Sequence, residues 1–349
     1  MPLMMHGNII QKHFEKEHYK VLFNQKTGFF MRCEDEGFPE PIWSANGPEL
    51  IDLSITSFCN RVCSFCYRGA NNIRYQHLAL DDVMSVVEQA QHCGTLQIAL
   101  GGGNPNEHPD FIKILKIIRE HNIVPSYTTN GDGLTNDVLK ATVNYCGAMA
   151  VSFYPPYDLE YYESLVKTIS DYGIKMNIHA ILHRNSFSLW TKLLNNPPSF
   201  FKKINAIVFL NYKPLGNIGN EMIPSDMTEA ELFFRTVNAC KELKIGFDSC
   251  SISGIAKCMD VPNVLVESCE AARFSCFISE DMKMYPCSFM IEQGGYGDLR
   301  KEPLLDIWQR HESFKKWREQ ENHARCNDCG HVGICKGGCR LFDEINYCS

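Results

Sequence analysis

Apolar and polar positions follow two different periods along the chain, and from Glu49 onward short apolar runs alternate with amphipathic stretches. The runs have the length of buried strands, and the stretches repeat their apolar residues at the spacing of a helix packed on one face. This pattern predicts six strands, at 51–56, 95–101, 124–129, 148–154, 175–182 and 204–212. It also predicts helices near 80–93, 109–121, 136–145, 159–171 and 188–194, and a final amphipathic segment at about 228–243.

The alternation of strands and helices predicts an α/β fold with a parallel sheet, because parallel neighbours need a crossover connection that is usually a helix. Successive strands begin roughly 25–45 residues apart, a spacing that suits right-handed crossovers. Six such units predict a partial (β/α)6 TIM-like barrel. We expect its functional groups on loops at the carboxyl ends of the strands.

Both ends of the chain depart from this alternation. In the first 48 residues, strand-like runs at 18–24 and 29–33 flank the turn formers Lys26, Thr27 and Gly28, which predicts a β-hairpin. After residue 246 the alternation stops, and the rest of the chain holds short strands, turns and ten cysteines. We therefore predict an N-terminal extension at 1–48, the barrel at 49–246 and a metal-organised domain at 247–349.

The composition is that of a folded protein, with 44% hydrophobic and 21% charged residues among 349. A formal net charge of −7 disfavours nucleic acid as a partner, because a negative surface repels phosphate backbones. No apolar run approaches the roughly 18–20 residues that span a bilayer, and the opening residues do not form a signal peptide. We expect a cytoplasmic protein without a membrane partner.

Seventeen cysteines are the unusual feature of the composition. In a reducing compartment, grouped cysteines bind metal more often than they form disulfides. Directly after the first barrel strand, Cys59, Cys63 and Cys66 are separated by three and then two residues. Structural zinc takes four ligands, whereas a cluster held by three cysteines leaves one iron open for a substrate or cofactor. The triplet therefore favours an open, catalytic iron–sulfur site, with half of a zinc site or a chance grouping as the alternative.

This triplet resembles the signature of the radical S-adenosylmethionine (SAM) superfamily. In that family the three cysteines hold a 4Fe–4S cluster, and the amine and carboxylate of SAM bind its fourth iron. An aromatic residue usually precedes the third cysteine and lies near the adenine, and Phe65 occupies that place here. The resemblance implies an oxidoreductase that reductively cleaves SAM to methionine and a 5′-deoxyadenosyl radical, which abstracts a hydrogen atom from a bound substrate.

Three later strand ends match family positions around SAM. Gly102, Gly103 and Asn104, followed by proline, resemble the Gly-Gly-Glu-Pro motif beside the methionine end of SAM, with Asn104 in place of the acidic residue. The resemblance implies that the Asn104 amide oxygen accepts a hydrogen bond from the SAM ammonium without a formal charge. Asn130 and Ser152 match positions that face the methionine or ribose of SAM. The alternative for each residue is ordinary turn and capping chemistry.

The C-terminal cysteines resemble the SPASM extension of radical SAM enzymes, which binds auxiliary clusters. The resemblance implies two auxiliary 4Fe–4S clusters, and so three clusters in all. The first would be bound by Cys269, Cys276, Cys287 and Cys339, and the second by Cys326, Cys329, Cys335 and Cys348. Met282 stands where the family usually has glycine, which disfavours the hairpin turn found there. One zinc ion on the four cysteines between 326 and 339 is the alternative.

Cys250 and Cys258 lie outside these ligand sets, in the stretch between the barrel and the C-terminal domain. A thiol there could donate a hydrogen atom to a substrate radical, or capture the radical as a thioether, so both are candidate catalytic residues. The role of a small buried hydrophobe is the alternative, and it is favoured.

SPASM enzymes commonly modify peptides or proteins, so the resemblance implies a maturase that crosslinks, epimerises or oxidises a ribosomally made peptide. Sulfatase maturation is disfavoured, because Ser288 stands where those enzymes carry a catalytic Asp. The short extension does not match a winged-helix leader-binding domain, so the expected partners include a separate leader-binding protein and an electron donor such as flavodoxin or ferredoxin. The alternatives are modification of a small molecule or cofactor precursor and, in another class, a non-catalytic iron–sulfur electron carrier or zinc-binding module.

Overall fold

The computed structural model describes residues 4–6, 8–154, 157–215, 219–224, 227–320, 322 and 324–348. The chain forms two compact units, each assembled from separate stretches of sequence. The first contains Met1–Asn60, Asn71–Met149 and Ala271–Glu319, and the second contains Arg61–Ala70, Ala150–Glu270 and Gln320–Ser349. These units do not coincide with the three consecutive segments predicted from the sequence. The domain boundaries at residues 48 and 246 stay a prediction.

A four-stranded antiparallel sheet opens the chain. Its strands are β1 (Met4–His6), β2 (Ile9–Phe14), β3 (Tyr19–Asn24) and β4 (Phe30–Glu34), in that order. The predicted hairpin is confirmed as β3–β4, and the structure adds two strands before it. Strand β2 was not predicted because Lys12 lies between Ile10 and Phe14 on its buried face. The lysine interrupts the alternation of apolar and polar residues that indicates a strand.

Strands and helices then alternate as predicted. The strands are β5 (Leu50–Thr56), β6 (Gln97–Gly102), β7 (Val124–Thr129), β8 (Ala148–Ser152), β9 (Met176–Leu182), β10 (Ala206–Asn211) and β11 (Ile245–Phe247). The helices are α1 (Leu80–Cys93), α2 (Phe111–Glu120), α3 (Asn136–Tyr145), α4 (Leu159–Asp171), α5 (Phe187–Asn195) and α6 (Thr228–Ala239). All the predicted elements are confirmed, and the structure adds the three-residue strand β11.

Shorter elements make up the C-terminal part of the chain. They are α7 (Ile252–Cys258), β12 (Ser275–Ile278), β13 (Lys283–Tyr285), β14 (Gly297–Asp298), α8 (Leu304–Arg310), α9 (Glu312–Glu319) and α10 (Val332–Cys335). Within the residues described, no helix combines the length and the apolar character that crossing a bilayer requires.

The β12–β13 hairpin forms although Met282 replaces the glycine that the family usually has there. Met282 adopts a left-handed backbone with φ of +66°. That conformation costs roughly 1–2 kcal/mol for a residue with a Cβ atom. The Met282 side chain is only 2% exposed, and burying a methionine contributes roughly 1.5–3 kcal/mol. Burial of the side chain therefore offsets the backbone strain, which explains how the turn survives without glycine.

In the first unit, the sheet has the order β7-β6-β5-β12-β13-β14. Strand β5 pairs in parallel with both β6 and β12, so Asp52 lies between Ala99 on one side and Phe277 on the other. The β12–β13 and β13–β14 pairs are antiparallel. The C-terminal hairpin thus continues the sheet of the barrel strands, a pairing that the sequence did not predict.

In the second unit, the strand order is β8-β9-β10-β11, and β10 pairs in parallel with both of its neighbours. Its core contains a chain of buried aromatic rings. Trp190 lies 5.3 Å from Phe153 and 4.9 Å from Phe209, and Phe209 lies 4.8 Å from Phe233, all measured between ring centroids. The edge-to-face contacts of Phe209 with Trp190 and Phe233 have the geometry that aromatic pairs prefer.

A buried ion pair joins the N-terminal sheet to the start of β5. Arg32 Nη2 lies 2.7 Å from Glu49 Oε2, and the two side chains are only 7% and 6% exposed. Glu49 Oε1 accepts a hydrogen bond from the Tyr19 hydroxyl at 3.1 Å. The Arg32 guanidinium lies over the Phe274 ring, 3.5 Å from its centroid, in a cation–π contact. The N-terminal sheet is therefore an integral part of the first unit.

Lys12 is buried in the same unit, where its ammonium donates a hydrogen bond to the carbonyl of Gly94 at the C-terminal end of α1. Burial lowers the pKa of Lys12 from 10.5 to about 8, against the opposing effect of the nearby Glu49 and Cys93. Between these pH values the unfolded chain keeps a proton that the native protein has lost. The free energy of unfolding therefore rises with pH across this window, and below it the fold bears the cost of a buried charge.

We expect Lys12→Met to raise the free energy of unfolding at neutral pH by about 1–2 kcal/mol and to abolish the rise between pH 8 and 10.5. Denaturant titrations of wild type and variant at several pH values across this window measure both effects. Lys20→Met is the matched control, because Lys20 is 44% exposed on the neighbouring strand. A Lys12→Met protein whose stability still rises with pH as in wild type would refute this account.

Candidate active site and metal centres

Two strand ends of the first unit meet at the loop that carries Cys59. Gly103 N donates a hydrogen bond to Thr56 O at 2.6 Å, and Asn104 N donates to Phe58 O at 2.7 Å. The glycine-rich loop after β6 is therefore bound along the loop after β5. This is the arrangement expected at the carboxyl ends of neighbouring parallel strands.

The close approach of these loops explains Gly102 and Gly103. Gly102 has a φ of +107°, and a Cβ atom there would lie 2.2 Å from the Thr56 carbonyl oxygen. A Cβ atom on Gly103 would lie 1.9 Å from the Phe58 carbonyl oxygen. No side chain fits either position, so the packing of the two loops alone requires both glycines. Their contact with SAM stays a prediction.

Asn104 links the loops, and its side-chain amide makes all four of the hydrogen bonds that it is able to form. Its amide oxygen accepts from Thr129 Oγ1 at 2.9 Å and from Asn130 N at 3.2 Å. Its amide nitrogen donates to Glu107 Oε2 at 2.8 Å and to the Asp132 carbonyl at 3.1 Å. Because all four positions of the amide are used, a bond to the SAM ammonium would have to displace one from Thr129 or Asn130. This differs from the role that the sequence motif implied.

Glu107 is a carboxylate that the sequence analysis missed. Its Oε1 accepts a hydrogen bond from Asn60 Nδ2 at 2.6 Å, and its Oε2 accepts the bond from Asn104. The short 3-10 turn Pro105–Glu107 brings it beside Asn104. The structure therefore restores a negative charge next to the position where the family has its acidic residue. A search for acidic residues within one turn of the motif would have found it.

Asn130 lies against the first cysteine of the triplet. Its Nδ2 donates a hydrogen bond to Cys59 Sγ at 3.6 Å, and its Oδ1 accepts from Asp132 N at 2.8 Å. An N–H group directed at a cysteine sulfur stabilises the thiolate form and influences the reduction potential of a bound cluster. The contact suits a cysteine that binds iron.

In the second unit, the remainder of the cysteine loop packs on residues that follow β8. The Phe65 ring meets Tyr154 edge to face, with 5.0 Å between the centroids. Arg61 Nη2 donates a hydrogen bond to the Tyr161 hydroxyl at 3.1 Å. Aromatic residues after β8 thus fix the loop at two points, and the sequence analysis singled out neither of them.

Tyr154 is the centre of this second group. Burial raises the pKa of its phenol, a hydrogen bond with the Ser152 side chain opposes the rise, and the neighbouring Cys63 and Cys66 thiols add to it. The phenol is therefore protonated at neutral pH and lies near two of the three triplet cysteines. The contact of Ser152 with SAM stays a prediction.

Three cysteines of the predicted second auxiliary cluster lie together in the C-terminal tail. Burial raises the pKa of the Cys335 thiol, and the neighbouring Cys348 and Cys326 raise it further. Arg325 hydrogen-bonds the Cys348 sulfur. Cys329 is one turn from Cys326, whose carbonyl accepts its N–H at 3.2 Å. Grouped thiols with an arginine beside them fit a cluster, because the guanidinium compensates the negative charge of thiolate ligands.

Cys339 has Cys250 as its thiol neighbour. The Cys250 thiol donates a hydrogen bond to the Cys339 sulfur, which raises the pKa of Cys250 and lowers that of Cys339. Asn346 holds the Cys339 backbone from both sides, accepting from its N–H at 2.8 Å and donating to its carbonyl at 3.2 Å. The ion pair between Lys213 and Asp248 lies beside both thiols.

The other predicted ligands of the C-terminal part are in different surroundings. Cys276 lies on β12, where burial raises the pKa of its thiol, and the neighbouring Asp52 carboxyl and Cys93 thiol raise it further. Cys269 and Cys287 are half-buried. Cys258, at the end of α7, is half-buried as well, and burial raises the pKa of its thiol.

Across the described part of the chain, no three histidine, cysteine, aspartate or glutamate side chains are arranged to bind one metal ion. In a 4Fe–4S cluster each thiolate binds a different iron. The ligands of a cluster are consequently further apart than the ligands of a single ion.

Two family models match the chain. Residues 53–187 match the radical SAM superfamily, and residues 269–330 match the SPASM iron–sulfur cluster-binding domain. The chain contains a radical SAM domain and a SPASM domain. The resemblance seen in the cysteine triplet and in the C-terminal cysteines is confirmed. Iron–sulfur clusters and SAM are therefore the cofactors of this radical SAM protein.

Curated relatives of the radical SAM protein carry out different reactions. The mycofactocin maturase MftC of Mycolicibacterium smegmatis is 21% identical over 328 residues, covering 84% of this chain and 78% of the relative. The AdoMet-dependent heme synthase of Methanosarcina barkeri is 22% identical over 324 residues, covering 84% of this chain and 92% of the relative. The relatives thus include both a maturase and a heme synthase.

Solved structures confirm the fold class of the radical SAM protein. SuiB of Streptococcus suis bound to S-adenosylmethionine superposes with a TM-score of 0.72 at 17% identity, over 96% of this chain and 95% of that chain. The fold is the predicted one, a partial barrel followed by a C-terminal SPASM domain.

Proposed function

We propose that the radical SAM protein modifies a peptide substrate after reductive cleavage of SAM. The observation that carries the proposal is the likeness to the mycofactocin maturase over most of both chains. A structure of SuiB bound to its precursor peptide SuiA, which superposes with a TM-score of 0.71 at 16% identity, supports a fold able to receive a peptide. The modification is a crosslink, an epimerisation or an oxidation of the peptide.

Cys59, Cys63 and Cys66 hold the SAM cluster in this proposal. When bound, the cluster and SAM supply the electron and the 5′-deoxyadenosyl radical that removes a hydrogen atom from the substrate. Asn130 donates a hydrogen bond to the Cys59 thiolate and so stabilises its charged form. The loop is fixed on Tyr154 through Phe65, which limits the movement of the two later cysteines.

The remaining contacts with SAM follow from the strand ends. Gly102 and Gly103 contact the methionine end through their backbone in this proposal, while the loop after β5 fills the space that a side chain at either position would need. Glu107, which Asn104 holds by a hydrogen bond, provides the negative charge for the SAM ammonium that Asn104 lacks. Phe65 offers its ring to the adenine. The protein's own task is to orient the substrate C–H bond and to exclude water from the radical.

Two auxiliary clusters complete the proposed set of three. One is bound by Cys326, Cys329, Cys335 and Cys348, and the other includes Cys339. They would accept the electron that the substrate radical loses when the product forms. In this proposal, an external donor such as flavodoxin or ferredoxin would reduce the SAM cluster, and a separate leader-binding protein would present the peptide.

Modification of a small-molecule or cofactor precursor is the second candidate function. The observation that favours it is the likeness to the heme synthase of Methanosarcina barkeri, which spans 92% of that relative. A small substrate would need no leader-binding protein.

Substrate deuteration distinguishes the two functions. Anaerobically reconstituted protein is incubated with SAM, dithionite and peptides encoded beside its gene, or with the low-molecular-mass fraction of the source cells, each labelled with deuterium. We expect deuterium in 5′-deoxyadenosine only with a peptide, together with a mass change in that peptide. Deuterium transfer from the small-molecule fraction alone would establish the second function, and the absence of SAM cleavage in every mixture would refute both.

A further inference from the structure

Cys250 lies outside the two predicted auxiliary sets, but it is the neighbour of one of the predicted ligands. Asn211 Nδ2 donates to the carbonyls of both Cys250 and Ile345, at 3.1 Å each, so the turn of Cys250 lies against the tail that carries Cys339. The Cys250 thiol is the neighbour of the Cys339 sulfur there. Two thiols that meet in a reducing compartment are well suited to share a metal cluster.

The turn that carries Cys250 is fixed at several points. Asp248 N donates to Phe209 O at 2.9 Å, and Ser251 Oγ donates to Asp248 Oδ1 at 2.9 Å. Asn211 Nδ2 donates to the Cys250 carbonyl at 3.1 Å. These bonds tie the turn to the carboxyl end of β10, so the position of the Cys250 thiol beside Cys339 is determined by the backbone and not by a flexible loop.

The charges around the pair suit a bound cluster. The ammonium of Lys213 is buried, pairs with Asp248 and interacts with both the Cys250 and Cys339 sulfurs. A cluster held by thiolates carries negative charge, which is costly to bury without a compensating cation. Lys213 provides that cation where the two sulfurs meet.

Cys276 and Cys287, the next predicted ligand along the chain, lie on opposite faces of the β12–β13 hairpin. On the β12–β13 hairpin, Phe277 pairs with Tyr285. Continuing that register by two residues places Cys287 opposite Ser275. Residues opposite each other share a face of the sheet, and successive residues alternate between faces. Cys276 therefore points to the face opposite that of Cys287, where its side chain is 2% exposed.

We propose that Cys250 is a ligand of the auxiliary cluster that Cys339 binds, in the place that the sequence analysis gave to Cys276. Cys269, Cys287 and Cys339 keep their predicted roles. Cys276 becomes a core residue of the first unit, with a buried cysteine of α1 as its neighbour. The proposal rests on the auxiliary clusters of the proposed function.

Iron counting tests whether Cys250 is a cluster ligand in place of Cys276. The count is made in a protein from which the SAM cluster has been removed. In the background of Cys59, Cys63 and Cys66 all changed to alanine, we expect about eight irons per chain after reconstitution. Adding Cys250→Ser should lower the count to about four, or to about seven with the electron paramagnetic resonance signal of an oxidised 3Fe–4S cluster. Adding Cys276→Val should leave about eight irons, because valine keeps the buried strand packed.

Cys258→Ser is the matched control, because it lies in the same segment and has Glu231, Lys257 and Arg235 as its charged neighbours. It should keep the iron count of the background. A full count in Cys250→Ser without the 3Fe–4S signal would overturn the proposal, and so would loss of iron from a Cys276→Val protein with an unchanged circular dichroism spectrum. If Cys276→Val does not fold, the count in Cys250→Ser decides alone.

Failure of this inference is distinguishable from failure of the proposed function. A background protein that binds no iron after reconstitution would refute the auxiliary clusters themselves. SAM cleavage by the protein with the intact triplet reports on the proposed function independently of either added variant.

Discussion

Replacing Cys59, Cys63 and Cys66 together with alanine is expected to abolish SAM cleavage and to leave the auxiliary clusters in place. The iron content of the reconstituted protein should fall from about twelve to about eight per chain, because one cluster of four irons loses its thiolates. Iron and sulfide assays measure the loss, and chromatography of 5′-deoxyadenosine after reduction with dithionite measures cleavage. Without the cluster, no electron reaches SAM, so the loss of cleavage should be complete.

The matched control changes three other cysteines, Cys33, Cys146 and Cys240, to alanine. These residues lie outside every predicted ligand set, and the control should keep about twelve irons and cleave SAM. Cleavage of SAM by the triplet variant would mean that the catalytic cluster is bound elsewhere. Wild-type protein that holds only about four irons, or zinc, would refute the two auxiliary clusters.

Arg32→Ala is expected to lower the free energy of unfolding by about 3–5 kcal/mol, which is the usual cost of breaking a buried ion pair from one side. Of this network, the Glu49 carboxylate would keep only the hydrogen bond from the Tyr19 hydroxyl. The Glu49 side chain is 6% exposed, so its charge would stay buried after the guanidinium is removed. The contact of the guanidinium with the Phe274 ring would be lost as well. Chemical denaturation of the apoprotein under anaerobic conditions measures the change.

Lys116→Ala provides the comparison, since it removes an ion pair with Glu120 that is 56% and 60% exposed on α2. Such a pair contributes at most about 0.5 kcal/mol. If Arg32→Ala were no more destabilising than Lys116→Ala, the N-terminal sheet would not be held to the barrel strands by this network.

The sequence predicted the barrel elements well because their patterns are long and regular. Helices α1, α3 and α4 agree with prediction to the residue, since their apolar positions recur at helical spacing over ten or more residues. Strand β11 has only three residues, and β2 carries a lysine on its buried face. Both strands owe their existence to pairing with a neighbour, which a local pattern does not show.

The candidate site was predictable only in part for a similar reason. Cysteine spacing identified the triplet, because those residues are close in sequence. Glu107 and Tyr154 were missed because their roles depend on contacts with residues from other loops. Asn104 was placed correctly in the fold, yet its hydrogen bonds go to the protein and not outward, which is a consequence of tertiary packing.

The electron paramagnetic resonance spectrum of the reduced protein, recorded with and without SAM, tests directly whether the Cys59 loop holds the cluster that binds SAM. SAM is expected to alter the signal of one cluster in wild type, because the proposed cluster of Cys59, Cys63 and Cys66 has an iron without a cysteine ligand and the two auxiliary clusters do not. The triplet variant should show auxiliary signals that SAM does not change. A wild-type spectrum unaffected by saturating SAM would contradict the assignment of this loop as the SAM site.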